Sequence, residues 1–328
     1  MNDKKNILFT ATFVTPFIQT DRSILQHHHY VTEVISSGVL TFFHYLRHFP
    51  KTDITFSWFA SVYSSILIFL ANLFGKRSVL ILGGVDVAKL PEVNYGIWNS
   101  RWKSAFVRYG ITHADVVLAV DPSIKEEAIA LAMYDGENIS VVPTGHDLDF
   151  WRPGTTSRKN IILTVATCDT ETRFRIKGID FLYDIARAFP EQSFVLVGMT
   201  DTIRQKTHPP PNISIHPYLS HKELLQYYQT TTVYLQPSMR EALGSTLCEA
   251  MLCECYPVGT AVGGIPTVIG ETGSLIPYSD VQAAVHALKQ GLSHGVSKIA
   301  RQRIIDHFSL QQRETALLRT ISSLYGSE

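Results

Sequence analysis

Two glutamates stand eight residues apart in the sequence EALGSTLCE. Glu241 precedes a predicted helix that begins near Ser245, and Glu249 lies in the first turns of that helix. The N–H groups at a helix start are unpaired and favour an anion, so the backbone of Gly244, Ser245 and Thr246 predicts a phosphate site. The two carboxylates could accept hydrogen bonds from hydroxyls of a sugar or ribose beside that phosphate. Spacing alone leaves open that both glutamates are solvated helix residues.

Three cations follow a strand predicted over residues 161–166. The segment DTETRFRIKG carries them as Arg173, Arg175 and Lys177. Arginine binds phosphate oxygens through two N–H groups and lysine acts as a point charge, each charge-assisted bond contributing about 1.5–3 kcal/mol. This loop would lie at the carboxyl edge of a sheet, where we expect its cations to neutralise a diphosphate. A solvated basic loop is the alternative.

Charge and cysteine content argue against a nucleic-acid-binding protein and against a zinc protein. The chain has 328 residues with 29 Lys and Arg and 29 Asp and Glu, so its formal net charge is zero. A neutral chain of this length predicts about two domains and no nucleic-acid partner. Cys253 and Cys255 form a C-x-C pair, but no His/Cys pair follows at zinc spacing. We therefore expect no bound metal and a reducing, cytoplasmic location.

One segment without charged residues could be either a transmembrane span or a buried helix. Residues 54–75 contain no charge and are long enough to span a bilayer. Their Ser, Asn and Tyr content, and the strand and turn signals on both sides, favour a buried helix of an α/β domain. The aromatic content of 42–74 also fits peripheral docking at the inner face of a membrane, or a lipid-linked acceptor. Residues 1–6 are polar and give no export signal.

Short β-branched runs alternate with helical stretches along the chain, which is typical of parallel sheets covered by helices. This pattern predicts two doubly wound α/β domains of similar size, with the site in the cleft between them. Residues 141–154 hold two prolines and two glycines and read as the linker. Neither GxGxxG after the first strand nor GxxxxGK[ST] occurs, which argues against a dinucleotide oxidoreductase and a P-loop NTPase.

Some local predictions are specific enough to be checked. The pattern predicts a helix over 28–36 and a strand over 39–43. Two helices are expected to begin with a capping box. The residue pairs of these boxes are Ser123 with Glu126, and Ser220 with Glu223.

Several motifs in the second half together carry a resemblance. They are KG at 177–178, the two glutamates, EAM at 249–251, PVGT at 257–260, GGIP at 263–266, ETG at 271–273 and the junction PTGHDLDFWRP. Jointly they resemble the retaining nucleotide-sugar glycosyltransferases of family 4, over about residues 110–328. The resemblance implies the GT-B fold, with two Rossmann-like domains facing a cleft. It also implies an acceptor domain at 1–154, a donor domain at 155–308, and a helix at 309–328 that crosses back to the first domain.

The resemblance assigns a role to each residue singled out above. It implies that a sugar moves with retention from a UDP- or GDP-sugar to an acceptor hydroxyl, in polysaccharide, lipopolysaccharide or glycolipid assembly, without a metal or other cofactor. The implied contacts are Arg173 or Arg175 and Lys177 with the donor diphosphate, Glu241 with the sugar hydroxyls, Glu249 with the ribose, and the backbone of Gly244, Ser245 and Thr246 with the phosphates.

The first hundred residues depart from that family. The first loop lacks the expected Gly-Gly pair, and the family's histidine in this domain is missing. Gly83, Gly84 and Asp86 are the remaining candidates for contact with donor or acceptor, and a plain cap or loop aspartate is the alternative for Asp86. In the second half, Glu254 stands where the family has glycine, and Thr267 where it has glutamate.

Two other functions remain open. One is a non-catalytic nucleotide-sugar-binding partner of a membrane assembly, against which the preserved glutamates and Lys177 argue. The other is a GT-B sugar-nucleotide epimerase, which would need acid and base groups in the first domain. Residues 1–110 show no clear carboxylate or histidine pair for that role.

Overall fold

The computed structural model describes residues 4–36, 38 and 40–326. Its chain forms two compact units, Met1–Gly145 with Gln311–Glu328, and His146–Leu310. The boundary falls inside the proline- and glycine-containing segment 141–154. Each unit contains one six-stranded sheet in which neighbouring strands are parallel, so the expected pair of Rossmann-like α/β units is confirmed.

The sheet of the first unit has the strand order β2-β1-β3-β4-β5-β6. Its strands are β1 (Asn6–Ala11), β2 (Tyr30–Ile35), β3 (Ile54–Trp58), β4 (Arg77–Leu82), β5 (Val116–Ala119) and β6 (Ile139–Val141). The connecting helices are α1 (Pro16–His28), α2 (Leu40–His48), α3 (Val62–Leu73), α4 (Arg101–His113) and α5 (Pro122–Ala132). The central strands β3 and β4 are almost entirely buried, because helices cover both faces of a parallel sheet.

The sheet of the second unit has the order β12-β11-β10-β7-β8-β9. Its strands are β7 (Lys159–Cys168), β8 (Ser193–Met199), β9 (Ile213–His216), β10 (Thr231–Gln236), β11 (Tyr256–Thr260) and β12 (Ser274–Ile276). The helices are α6 (Glu171–Ile176), α7 (Ile179–Ala188), α8 (Asp201–Thr207), α9 (His221–Thr230), α10 (Ser245–Leu252), α11 (Ile265–Ile269), α12 (Val281–His294) and α13 (Lys298–His307). The strand order reverses between β7 and β10, and the carboxyl ends of two such strands are where doubly wound sheets bind ligands.

Two predicted elements of the first unit are wrong. Residues 28–36, expected to be helical, hold β2, and most of the expected strand at 39–43 belongs to α2; residue 39 lies outside the described part. The YVTEVI run is rich in β-branched residues, which favours a strand, and it forms the sheet's edge, where few of its side chains are buried. In α2 the buried Thr41 and Tyr45 are four residues apart, which is the helical period.

The two capping predictions have opposite outcomes. Helix α5 begins earlier than expected, because Asp121 is its N-cap and accepts a hydrogen bond from the backbone N–H of Ser123 at 2.9 Å. Pro122 takes the first helical position, where a missing N–H costs nothing. The box of Ser123 with Glu126 is therefore wrong. The box of Ser220 with Glu223 at the start of α9 is confirmed.

The last helix, α14 (Leu310–Ser323), carries the chain back into the first unit, as the implied fold requires. Its Arg313 side chain is fully buried and donates two hydrogen bonds to Asp21 of α1, at 3.0 and 2.6 Å. The same guanidinium donates to the carbonyl of Val142 at 2.7 Å, and Asp21 also accepts from the Trp58 indole N–H at 3.0 Å. One cation thus joins α14, α1 and the end of β6.

We predict that Arg313→Met lowers the free energy of unfolding by about 3–5 kcal/mol, because Asp21 would keep a buried charge without its cation. Urea unfolding followed by circular dichroism measures the effect. The neighbouring substitution Glu314→Gln is the control, since it removes only a half-exposed pair with His28. That pair should contribute less than about 1 kcal/mol. Equal effects of the two substitutions would contradict the prediction.

Candidate functional site

An ion pair joins the two loops that leave β7 and β10. The Lys177 ammonium lies 2.7 Å from Oε2 of Glu241, and the two side chains are 27% and 13% exposed. Lys177 ends α6, and Gly178 follows it with φ 64°, which turns the chain into α7. A Cβ at Gly178 would overlap the carbonyl oxygen of Pro237 in the other loop. The close approach of these loops brings together residues far apart in the sequence.

Buried polar side chains hold Glu241 in place. Its Oε2 accepts hydrogen bonds from Gln236 Nε2 at 3.1 Å and from Ser238 Oγ at 3.3 Å. Gln236 ends β10, and its Oε1 lies 3.0 Å from the hydroxyl of Tyr234. That hydroxyl is 2.8 Å from Oγ1 of Thr246, in the first turn of α10. A continuous polar network therefore fixes the carboxylate relative to the helix start.

The amino end of α10 is arranged as the sequence predicts. Gly244 is the N-cap with φ 97°, a conformation that favours glycine. The backbone N–H of Cys248 donates to the Gly244 carbonyl at 3.1 Å. The N–H groups of Gly244, Ser245 and Thr246 precede that bond and have no partner in the helical ladder. They can receive an anion, which the helix dipole also favours.

The carboxyl end of α10 is neutralised by two arginines that the sequence did not single out. Arg158 donates to the carbonyl of Cys253, and Arg301 to the carbonyl of Leu252. Arg301 also donates to the carbonyl of Trp151 at 3.0 Å. Cations at this end complement the negative pole of the helix.

Two glycines support the loop that carries Glu241. Gly263 has φ 53°, and a Cβ there would overlap the Glu241 carbonyl oxygen. A Cβ at Gly264 would overlap the Ala242 carbonyl oxygen. The GGIP motif therefore has a physical explanation: its backbone packs directly against the backbone of the loop at the candidate site.

Glu249 lies inside the protein, so the alternative of a solvated helix residue is wrong for it. It belongs to the second turn of α10, and its Oε2 accepts a hydrogen bond from the Tyr228 hydroxyl at 3.1 Å. Burial raises the pKa of the Glu249 carboxyl to about 8. Further hydrogen-bond donors from a ligand would stabilise the ionised form of this carboxyl and lower its pKa.

The three cations after β7 lie on or at the end of the short helix α6, and the structure separates them. The Lys177 N–H donates to the Arg173 carbonyl at 2.9 Å, so these two residues are one turn apart and share a face. Arg175, two residues from each, is on the other side, near Tyr278. Arg173 also pairs with Asp169 at 2.9 Å. The geometry favours Arg173 over Arg175 as the partner of Lys177.

The candidate residues of the first unit, Gly83, Gly84 and Asp86, are joined to one another by hydrogen bonds in the loop after β4. Asp86 is buried and accepts hydrogen bonds from the backbone N–H groups of Ala60, Gly83 and Gly84, at 3.0, 3.2 and 2.7 Å. Burial raises the pKa of this carboxyl to about 6. Asp86 thus joins the loops after β3 and β4, which is the role of a loop aspartate; a contact of this segment with donor or acceptor stays a prediction.

The described part of the chain shows neither a cluster of metal ligands nor a membrane-spanning helix. Its four cysteines are buried and unbridged, and no group of three or more His, Cys, Asp or Glu there is placed to hold a metal ion. The charge-free segment 54–75 is divided between β3 and α3. Within residues 4–36, 38 and 40–326, none of the helices combines the length and apolar character that crossing a membrane needs.

The backbone is left-handed at Glu254, one of the positions where the sequence departs from the resembled family. Glu254 has φ 64°, in the region that glycine adopts without strain. The glycine expected there therefore has a conformational reason, and this chain tolerates a glutamate at that position.

Two Rossmann-like units, with the last helix returning to the first unit, define the GT-B fold. Sucrose-phosphate synthase from Thermosynechococcus elongatus superposes with a TM-score of 0.81 over 99% of this chain and 100% of that one, at 16% identity. Anabaena HepE in complex with UDP-glucose superposes with a TM-score of 0.74 over 97% and 100%, at 14% identity. Both likenesses concern the fold.

The sequence comparisons define the family. Residues 147–307, which make up almost all of the second unit, match the family model described as glycosyl transferases group 1, and this unit is a member of that family. The phosphatidylinositol N-acetylglucosaminyltransferase gpi3 subunit of Schizosaccharomyces pombe is 24% identical over 173 residues, 50% of this chain and 38% of that protein. The D-inositol 3-phosphate glycosyltransferase of Mycobacterium sp. strain KMS is 24% identical over 212 residues, 59% and 48%. The chain thus spans less than half the length of these two relatives.

We predict that Gly263→Ala destabilises the protein by about 1–3 kcal/mol more than Gly295→Ala does, because its Cβ meets the loop backbone. Gly295 has φ 77°, and among the described residues nothing lies within 4 Å of a Cβ built there. Both alanines bear the left-handed strain, so the difference isolates the overlap. Chemical denaturation measures both variants, and equal losses would show that the GGIP backbone does not support the loop.

Proposed function

We propose that this protein is a retaining glycosyltransferase that moves a sugar from a UDP- or GDP-sugar to an acceptor hydroxyl. Its pathway would be polysaccharide, lipopolysaccharide or glycolipid assembly in the cytoplasm, with the protein held peripherally at the inner face of the membrane. The observation that carries the proposal is the half-buried pair of Lys177 and Glu241 beside the open amino end of α10.

In this proposal the second unit binds the donor. The diphosphate lies at the N–H groups of Gly244, Ser245 and Thr246, and the cations of Lys177 and Arg173 approach it from α6. As the bond between the sugar C1 and the diphosphate oxygen breaks, negative charge accumulates on the leaving group. Fixed dipoles and cations stabilise that charge where it develops, which is the work a metal ion performs in other sites. The acceptor oxygen forms the new bond to C1, and its proton passes to the oxygen of the leaving diphosphate.

Each glutamate has a separate task in the same scheme. Glu241, fixed by Gln236 and Ser238, accepts hydrogen bonds from the donor sugar hydroxyls and orients C1. Glu249, buried against Tyr228, accepts them from the ribose. The sugar contact can change as the transition state forms, whereas the ribose contact is the same before and during transfer and contributes to binding alone.

The compared proteins support the choice of donors and acceptors for testing. HepE was solved with UDP-glucose, which favours a uridine donor. Two relatives are named for phosphatidylinositol and D-inositol 3-phosphate, so hydroxyls of inositol and of inositol lipids belong in the acceptor panel.

The proposed function is tested by donor binding followed by transfer. A thermal-shift panel of UDP, GDP and ADP should single out one nucleotide, since a ligand at 100 times its dissociation constant stabilises by about 2.7 kcal/mol. The matching nucleotide-sugar should then transfer to an acceptor in EDTA, and NMR should show the donor's anomeric configuration in the product. An inverted product, or activity lost in EDTA and restored by Mg²⁺ or Mn²⁺, would contradict the mechanism.

Matched arginine variants test the site assignment. Arg173→Gln should weaken binding of the preferred nucleotide by roughly tenfold to a hundredfold, the loss of one charge-assisted contact. Arg175→Gln, from the other side of α6, should leave that affinity within about twofold. The reverse order would move the diphosphate to the Arg175 side. Nucleotide binding without transfer would favour the non-catalytic alternative, and epimerisation of the donor without an acceptor would favour the epimerase.

We further predict that nucleotide affinity rises with pH up to about 8. Only the ionised Glu249 accepts two ribose hydroxyls, and in the free protein that form is scarce below its pKa of about 8. Affinity should therefore change by up to about tenfold per pH unit below that value. Calorimetry on the wild type and on Glu249→Gln separates this effect from titration of the nucleotide phosphate, which both share. Identical pH profiles would exclude Glu249 from the ribose site.

A further inference from the structure

Three helices of the first unit form one continuous layer. Helices α2, α3 and α4 connect successive strands that all step in the same direction across the sheet, and right-handed crossovers place them on one face. Tyr45 of α2 packs with Leu67 of α3 in one buried cluster. The ring of Phe69 in α3 lies 6.1 Å from that of Tyr109 in α4. We call these three helices the α2–α4 layer.

The outer surface of the α2–α4 layer and of the residue that caps α3 is unusually apolar. Eight large hydrophobic side chains there are between 40% and 71% exposed. They are Leu40, Phe43, Leu46, Phe69, Leu73, Phe74, Trp102 and Phe106. Single exposed hydrophobics are ordinary, but a group spread over adjacent helices indicates an interaction surface.

The charge of the α2–α4 layer has one sign. Its three helices contain no Asp or Glu, although the whole chain has as many acidic as basic residues. Its exposed cations are Arg47, Arg101, Lys103 and Arg108, and the exposed Lys51 follows the end of α2. The Lys103 ammonium lies 5.6 Å from the centre of the Trp102 ring. Aromatic and aliphatic side chains among cations are typical of proteins that bind an anionic membrane surface.

We propose that the α2–α4 layer docks the first unit on an anionic lipid bilayer, with the apolar side chains at the acyl boundary and the cations at the headgroups. Charge complementarity selects this occupant. A symmetric contact with a second copy would place the same cations opposite one another, which is repulsive. This inference rests on the proposed function, because it locates the membrane contact of that function on the α2–α4 layer. The layer contains none of the residues assigned to the donor site.

Vesicle co-sedimentation tests the proposal with the full chain. The protein should bind vesicles of phosphatidylcholine with one third phosphatidylglycerol, bind phosphatidylcholine alone much less, and lose affinity at high salt. Two double variants, Phe43→Ser with Leu46→Ser and Arg47→Glu with Lys103→Glu, should each reduce partitioning by at least about tenfold.

Matched controls come from the second unit. Ile299→Ser and Lys298→Glu change an exposed apolar and an exposed basic residue that do not belong to the layer, and they should leave partitioning within about twofold. Nucleotide binding measured by calorimetry should be the same in all variants, which shows that they fold and keeps this test separate from the proposed function. Equal binding to both vesicle types, or unchanged partitioning of the double variants, would overturn the proposal. So would a stable dimer that Phe43→Ser with Leu46→Ser disrupts.

Discussion

The second unit depends on helix α10 having one satisfied pole and one open pole. Arg158 and Arg301 bind the carbonyls at its carboxyl end, whereas its amino end presents backbone N–H groups that the helix itself cannot use. A buried helix with both poles unpaired would be costly, and one with both poles filled could not bind an anion. The amino end of α10 is therefore able to bind a negatively charged ligand, whereas its carboxyl end is already neutralised.

The sheet topology explains why other polar groups gather at that place. The strand order reverses between β7 and β10, so the loops that leave these two neighbouring strands both lie at the carboxyl ends where doubly wound sheets bind ligands. The loop glycines Gly178 and Gly263 allow backbone to approach backbone there, and the network from Gln236 to Thr246 removes freedom from Glu241. Preorganisation of this kind is what electrostatic stabilisation of a leaving group requires.

The sequence was informative where a residue's role is local. The start of α10 and the Ser220 capping box depend on neighbours a few residues away, so the residue types alone indicate the role. It failed at 28–43, because β2 and α2 bury few side chains and the hydrophobic periodicity there is weak. It also could not rank Arg173 against Arg175, since the ranking depends on α6 being helical. Tyr234 and Gln236 read as ordinary strand residues because their partners come from other segments of the chain.

The ion pair of Arg313 with Asp21 joins residues 292 positions apart in one unit. A ribosome makes Asp21 before the second unit and Arg313 after it, and domains generally fold in the order of their synthesis. The first unit is therefore an exception: it is begun first and can be completed only after the entire second unit has emerged. During that interval Asp21 lacks its ion-pair partner Arg313, and the surface that α14 covers is exposed. The second unit, in contrast, is one uninterrupted segment that can fold while its neighbour is still incomplete.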